Sequence, residues 1–481
     1  MAATWVLEEM QTVDMPDARI EARLYEVLTQ LGERPCASIP AACGGHAEMT
    51  AAYRLFDNPR VTFEGILRPH AAATRKRMAA QSTVLMAQDT TEMDVTRPAQ
   101  QVRGAGPLDG GARRGLLLHP LHAFTPDGTP LGTLHASVRV RPDEERAPQT
   151  RAQRAAIPIE NKESYRWLET LRAAQAEAEL SPATHFIGIA DSEADIYELL
   201  AEAQAEPRRI DWIVRACQDR ALEAEAEAEA AGHLREEVLA QPVWFTNQIT
   251  VRGREPKIAC EKRGRRQARK TRQALVEVRS ARVTLRPPWR ADRKLPALAV
   301  NVVLVREAQA PLGEEPVEWL LLTSLPVGDA EQVREVIRFY CVRWMIEILF
   351  RVLKSGCRVE ARRFENIERV QRCLAVYLIV AWRTLYTCRL GRSCPDISCE
   401  AIFEPQEWKP VWKVLLRSDP PATPPTLGEM TILVAELGGY IRRKDSPPGP
   451  QTVWIGLQRM HDFAACWKAF GPESGVPLAD V

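Results

Sequence analysis

Long apolar runs, clustered cysteines, a dominant sign of charge and internal repetition are all missing from this 481-residue sequence. Its longest apolar stretches, Leu295 to Val305 and Cys373 to Trp382, fall short of the ~20 residues that a membrane-spanning helix requires, so a membrane partner is not expected. Eleven cysteines lie at irregular intervals, and the closest pair, Cys394 and Cys399, has no second Cys or His pair at zinc-ligand spacing. That excludes a zinc finger and leaves reduced thiols as the reading. The opening MAATWVLEEM lacks a basic stretch followed by an apolar core, so a cytoplasmic location is expected. With 45% hydrophobic and 26% charged residues, the chain can bury several cores, and extended disorder is a poor fit. The net charge of +1 argues neither for nor against nucleic acid, but the charges are sorted into blocks, which is more informative than their sum.

What is present begins as helix. Apolar residues recur at helical spacing from Asp17 to about Gly32 and from Ala47 to Phe56, before Asn58-Pro59 breaks the pattern; a basic stretch follows with Arg75, Lys76 and Arg77. Residues 1–80 read as a small helical domain, either a plain bundle with a basic face or a DNA-binding unit. The period then changes. Thr83 to Ala87 is a short apolar run ending at Gln88-Asp89-Thr90, the pattern of a buried strand that delivers polar groups at its end. Alternating runs Leu116 to Phe124 and Leu131 to Val140 flank Asp127-Gly128, a hairpin signal. A helix over about 163–180, a second buried-strand pattern ending at Asp191, a helix over about 194–205 and a strand over 210–215 complete a ribonuclease-H-like order for residues 81–216.

Residues 217–327 interrupt that core with mostly β character. An acidic alternation over Leu222 to Ala230 reads as a solvated helix start, and ten Lys or Arg fall between Arg252 and Arg272 against only Glu255 and Glu261. So many like charges repel one another unless a polyanion screens them, which points to a nucleic-acid contact. Strand-like runs follow at 274–285, 295–305 and 317–322. Residues 328–391 return to long helices near 329–356 and 365–391, and 392–481 read as shorter helices broken by Pro-rich segments.

Plotted at about 100° per residue, Tyr340, Arg343, Glu347, Arg351 and Lys354 fall within roughly 80° of one another, opposite an apolar arc that includes Met345, Ile346, Leu349 and Val352. Taken alone, this is equally an amphipathic surface helix whose arginines pair with Glu347 at i−4 and i+4. Taken with two strand-end aspartates, the glutamate supplies the third hard oxygen ligand that a pair of divalent cations requires.

The spacing Tyr340, Arg343, Glu347, Lys354, together with Ala87 to Glu92 and Ile189 to Asp195, resembles the signature of the DDE-type bacterial transposases of insertion sequence family four, typified by the enzyme of the kanamycin-resistance composite transposon. The resemblance covers nearly the whole chain. It implies cut-and-paste DNA transposition, with metal-dependent cleavage at transposon ends through a hairpin, and strand transfer. Asp89, Asp191 and Glu347 become the catalytic carboxylates holding two Mg²⁺ ions, with Mn²⁺ as a substitute; Glu92, Glu193 and Asp195 stay outside the site. Tyr340, Arg343, Arg351, Lys354 and Arg215 become DNA contacts, and Trp319, otherwise a packing residue, becomes the platform for a flipped base. Ala51 to Pro59 resembles the end-recognising domain, and the region of Trp454 and Trp467 resembles a dimerising tail. The implied partners are inverted-repeat DNA, target DNA and a second copy of the chain, and the protein would join the nucleoid when bound. A catalytically silent DNA-binding protein and a same-fold nuclease remain as alternatives.

Overall fold

The computed structural model describes residues 3–109, 112–143, 150, 153, 156–223, 232–251, 253, 270–442 and 447–472. The acidic alternation and most of the basic stretch lie outside the described residues.

Five helices open the chain: α1 (Thr4–Glu9), α2 (Ala18–Glu33), α3 (Ile39–Cys43), α4 (His46–Asp57) and α5 (Phe63–Ala79). The start of α2 is set by Asp17, whose carboxylate accepts the backbone N–H groups of Arg19 and Ile20, satisfying donors that the first turn leaves orphaned. Its apolar stripe, Leu24, Val27, Leu28 and Leu31, is wholly buried.

Next come β1 (Thr83–Gln88), β2 (Thr91–Asp94), β3 (Gly106–Pro107), β4 (Arg114–Phe124), β5 (Pro130–Arg139), α6 (Tyr165–Glu179), β6 (His185–Ala190), α7 (Tyr197–Gln204) and β7 (Asp211–Arg215). The β4–β5 turn places Gly128 at φ +85, a conformation that L side chains rarely adopt. β1 pairs in parallel with β6, and β6 in parallel with β7, while β4 runs antiparallel to β1. The strand β2 carries no alternation that sequence reading separates from its loop.

The segment after β7 holds α8 (Leu234–Ala240), β8 (Phe245–Val251), β9 (Arg272–Leu285), β10 (Leu298–Glu307) and β11 (Glu318–Thr323). Neither α8 nor β8 is apparent from sequence pattern. β11 pairs antiparallel with β7, so among the described residues one mixed sheet runs β2-β4-β1-β6-β7-β11-β10-β9-β8. The later strands thus extend the core sheet, and Val300, Val302, Leu320 and Leu322 share one apolar cluster with Val84 and Met86 of β1. This is the ribonuclease-H-like mixed α/β fold expected, with helices at both ends of the chain.

The remaining helices are α9 (Ala330–Val342), α10 (Trp344–Arg351), α11 (Ile367–Ser393), α12 (Pro405–Leu416), α13 (Leu427–Leu437) and α14 (Pro450–Phe470). α11 corrects the reading of apolar length: at 27 residues it is long and apolar enough to cross a membrane by composition, whereas Cys373 to Trp382 alone is not. Yet 78% of its most apolar window is buried inside the protein, the environment of a central core helix. Every cysteine among the described residues is free.

Candidate active site

The two aspartates owe their proximity to strand register. Ala87 on β1 sits opposite Ile189 on β6 in a parallel ladder, so Asp89 and Asp191, each two residues further on, leave neighbouring strands at the same level and in the same direction. Each is held locally through one oxygen: Asp89 Oδ1 accepts the N–H of Thr90 at 2.7 Å, and Asp191 Oδ1 accepts that of Glu193 at 2.8 Å.

Glu347 arrives from α10, and a single guanidinium links it to the strand ends. Arg343 donates from Nη1 to Asp89 Oδ2 at 3.1 Å and from Nη2 to Glu347 Oε1 at 2.7 Å. Asp89 is only 8% exposed. Burial, then the nearby charge of Asp191, push its carboxyl up to about 7, with Glu347 adding to the rise and Arg343 opposing it. Two of the three carboxylates thus draw on one cation and Asp191 has no ion-pair partner among the described residues, so the site holds more negative charge than its ion pairs neutralise.

The helix carrying Glu347 is not one regular rod. The Arg343 N–H bonds back to Tyr340 O, three residues earlier, which separates α9 from α10. After α10, Val352–Gly356 forms a π turn closed by Cys357 N–H to Val352 O at 2.7 Å. Gly356 permits this turn to approach α14, because a Cβ there would lie 3.1 Å from the Trp454 ring.

A uniform 100° plot therefore misplaces two residues. Tyr340 is 5% exposed, not on an open stripe, and meets Trp319 edge-to-face with ring centroids 5.7 Å apart. Lys354 lies beyond the regular part, with Nζ 3.8 Å from Glu360. Arg351 is exposed and reaches Gln451 of α14 at 3.2 Å. Arg215, at the end of β7, donates to Glu318 O at 3.3 Å beside Trp319. Arg215, Trp319, Tyr340 and Arg343 accordingly form one wall beside the carboxylates.

The flanking acids pair with other arginines. Glu92 pairs with Arg113, Glu193 with Arg166 at 3.1 Å, and Asp195 with Arg220 while also accepting the N–H groups of Cys217 and Gln218 at 2.8 and 2.9 Å. Arg166 escaped sequence reading because nothing in the spacing of Tyr165-Arg166-Trp167 marks a buried cation.

Residues 166–382 match the transposase DDE domain, residues 2–61 the transposase DNA-binding family, and residues 379–469 the transposase Tn5 dimerisation domain. The chain belongs to the Tn5-like DDE transposases. It is thus a DNA-acting enzyme with a DNA-binding N-terminus and a dimerising C-terminus, the latter two corresponding to α1–α4 and to the stretch from α11 through α14. Among solved structures, the piggyBac transposase synaptic complex with hairpin DNA aligns at 8% identity over 82% of this chain and 72% of that one, with a TM-score of 0.36, a likeness too distant to bear on the site.

DDE transposase domains generally use divalent metals, and an all-oxygen donor set with an upshifted aspartate fits hard cations such as Mg²⁺ or Mn²⁺. Among the described residues no three metal-ligating side chains are gathered at the spacing of a single ion's shell; between Asp89 and Glu347 stands Arg343.

Proposed function

We propose that this transposase performs cut-and-paste transposition, with Asp89, Asp191 and Glu347 as its metal-holding carboxylates. The observation that carries the proposal is the juxtaposition of Asp89 and Asp191 by parallel register, with Arg343 joining Asp89 to Glu347. Two Mg²⁺ ions bound there would supply an activated water or 3′-hydroxyl and stabilise the leaving oxygen of an in-line displacement.

The protein's own part is positioning. Arg343, Arg351 and Lys354 hold phosphates near the scissile bond, since charge-assisted contacts fix a strand for in-line attack. Tyr340, being buried, backs Trp319 instead of touching the strand. Trp319 then receives a base swung out of the stack while the freed 3′-hydroxyl attacks the opposite strand to form a hairpin, and Arg215 steadies the adjoining backbone. Two copies of the chain hold two transposon ends within the cytoplasm; water then hydrolyses each hairpin to restore a free 3′-hydroxyl on a blunt end, and those hydroxyls attack target phosphodiesters, displacing a target 3′-oxygen as the leaving group.

The test incubates purified protein with DNA bearing the inverted repeats that flank its gene, with Mg²⁺ or Mn²⁺, beside Trp319→Ala and Glu347→Ala. Nicks, hairpins and joined products are expected from the unmodified protein, hairpins lost in Trp319→Ala, and all products lost in Glu347→Ala. Cleavage without joining would identify a nuclease; metal-independent binding without cleavage would identify a silent DNA-binding protein.

A further inference from the structure

Beneath the two aspartates lies a buried cation that the proposed reaction leaves without a role. Arg166, in the first turn of α6, is 6% exposed. Its guanidinium is divided among three segments: Nε donates to Thr90 Oγ1 at 2.9 Å, Nη1 to Glu163 O at 2.8 Å, and Nη2 to Glu193 Oε2 at 3.1 Å. Thr90 follows Asp89, and the Glu193 backbone N–H is the group that holds Asp191 Oδ1. One side chain therefore ties together the two loops that carry the aspartates.

The brace is itself supported from behind. Thr90 Oγ1 also lies 2.8 Å from His119 Nδ1, and His119 Nε2 lies 3.3 Å from Gln88 Oε1. Because Arg166 donates to the Thr90 oxygen, the Thr90 O–H is available to the His119 ring. Trp167 packs edge-on against His119 at 4.6 Å between centroids. Buried hydrogen bonds of this kind hold the two ligand-bearing loops in place.

We infer that Arg166 is the positioning residue of the active site, bracing the Asp89 and Asp191 loops at the separation that a divalent cation demands. The inference rests on the assignment of Asp89 and Asp191 as metal carboxylates. Arg166 is too buried to serve as a phosphate contact, so its loss should act on metal affinity and leave DNA affinity alone.

The experiment titrates Mn²⁺ alone, followed by electron paramagnetic resonance, into full-length protein bound to inverted-repeat DNA, comparing Arg166→Met, Arg166→Lys, Thr90→Val and Asp89→Asn. Expected are an Mn²⁺ half-saturation raised about 10- to 100-fold in Arg166→Met, a smaller rise in Arg166→Lys, a rise in Thr90→Val, and unchanged DNA affinity in all three. Thr90→Val removes one hydroxyl at a half-buried position and reports on the brace if Arg166→Met does not fold. Unchanged Mn²⁺ binding in both Arg166→Met and Thr90→Val, with Asp89→Asn abolishing it, would overturn the brace alone. Mn²⁺ binding indifferent to Asp89→Asn would instead overturn the metal site on which the brace depends. Weakened DNA binding in Arg166→Met with metal affinity intact would make it a DNA contact.

Discussion

Two sets of carboxylates lie within a few residues of one another, and their surroundings differ in kind. Asp89 and Glu347 share one guanidinium, that of Arg343, and among the described residues Asp191 has no ion-pair partner. Glu92, Glu193 and Asp195 each pair with a different arginine, outside the first set. Chemical type does not separate the sets, since each holds both aspartate and glutamate. What separates them is the supply of positive charge: the flanking acids are neutralised within the protein, whereas the first set is left short of cations, which is the condition for binding one from outside.

The comparison is broken most severely by exchanging a member of each set for its amide. Asp191→Asn should reduce metal-dependent end cleavage by about a thousandfold or more, the loss of several kcal/mol of charge stabilisation, while Glu92→Gln should leave it largely intact. Single-turnover cleavage of inverted-repeat DNA checks both. Equal losses would show that partner supply does not distinguish the sets.

Stability should respond in the opposite order. The Asp195 side chain is fully enclosed with Arg220, and removing one partner of a buried pair strands the other. Asp195→Ala is expected to cost about 4 kcal/mol in unfolding free energy, read from urea or thermal melts, with no dependence on divalent metal.

Asp89 sharpens the contrast because its sign is reversed. Its carboxyl is raised to about 7 in the folded chain, against about 4 when unfolded. The native state therefore binds the extra proton, and the contribution to stability is fully present below about pH 4 and lost as pH rises through about 7. Asp89→Asn, which cannot ionise, should leave the melt unchanged near pH 4 and stabilise the metal-free protein at pH 8 by on the order of 4 kcal/mol. Added Mn²⁺ should narrow that gap by stabilising the unmodified protein alone. A pH-independent effect would mean that Asp89 ionises without hindrance in the folded chain.

The strand-end aspartates were legible in sequence because a short apolar run that stops at a carboxylate has few other readings. The Tyr340, Arg343, Glu347, Lys354 spacing was legible as a signature, but its geometry was not. Hydrogen bonding three residues back at Arg343 and five back at Cys357 alters the rotation per residue, and no periodicity within the sequence encodes either. The same limit hid Arg166, whose partners Thr90 and Glu193 lie 76 and 27 residues away; a buried arginine is recognised by what folds over it. β8 was missed because its side chains are mostly exposed, so it lacks the apolar alternation that marks a half-buried strand.

The smallest expected effect is also the most discriminating. Glu92 is three residues from Asp89, on β2, and carries the same charge; by proximity in sequence it is as good a ligand as any. In the fold its carboxylate is committed to Arg113 and to the backbone N–H of Asp109 at 2.8 Å. Because Arg113 is partly exposed and water competes for the pair, Glu92→Gln should change stability by less than about 1 kcal/mol. Cleavage should change by no more than about twofold, and the Mn²⁺ half-saturation should not move. A shift in that half-saturation comparable to the one in Asp191→Asn would mean that Glu92 leaves Arg113 when metal binds, and that an arginine partner does not by itself exclude a carboxylate from the site.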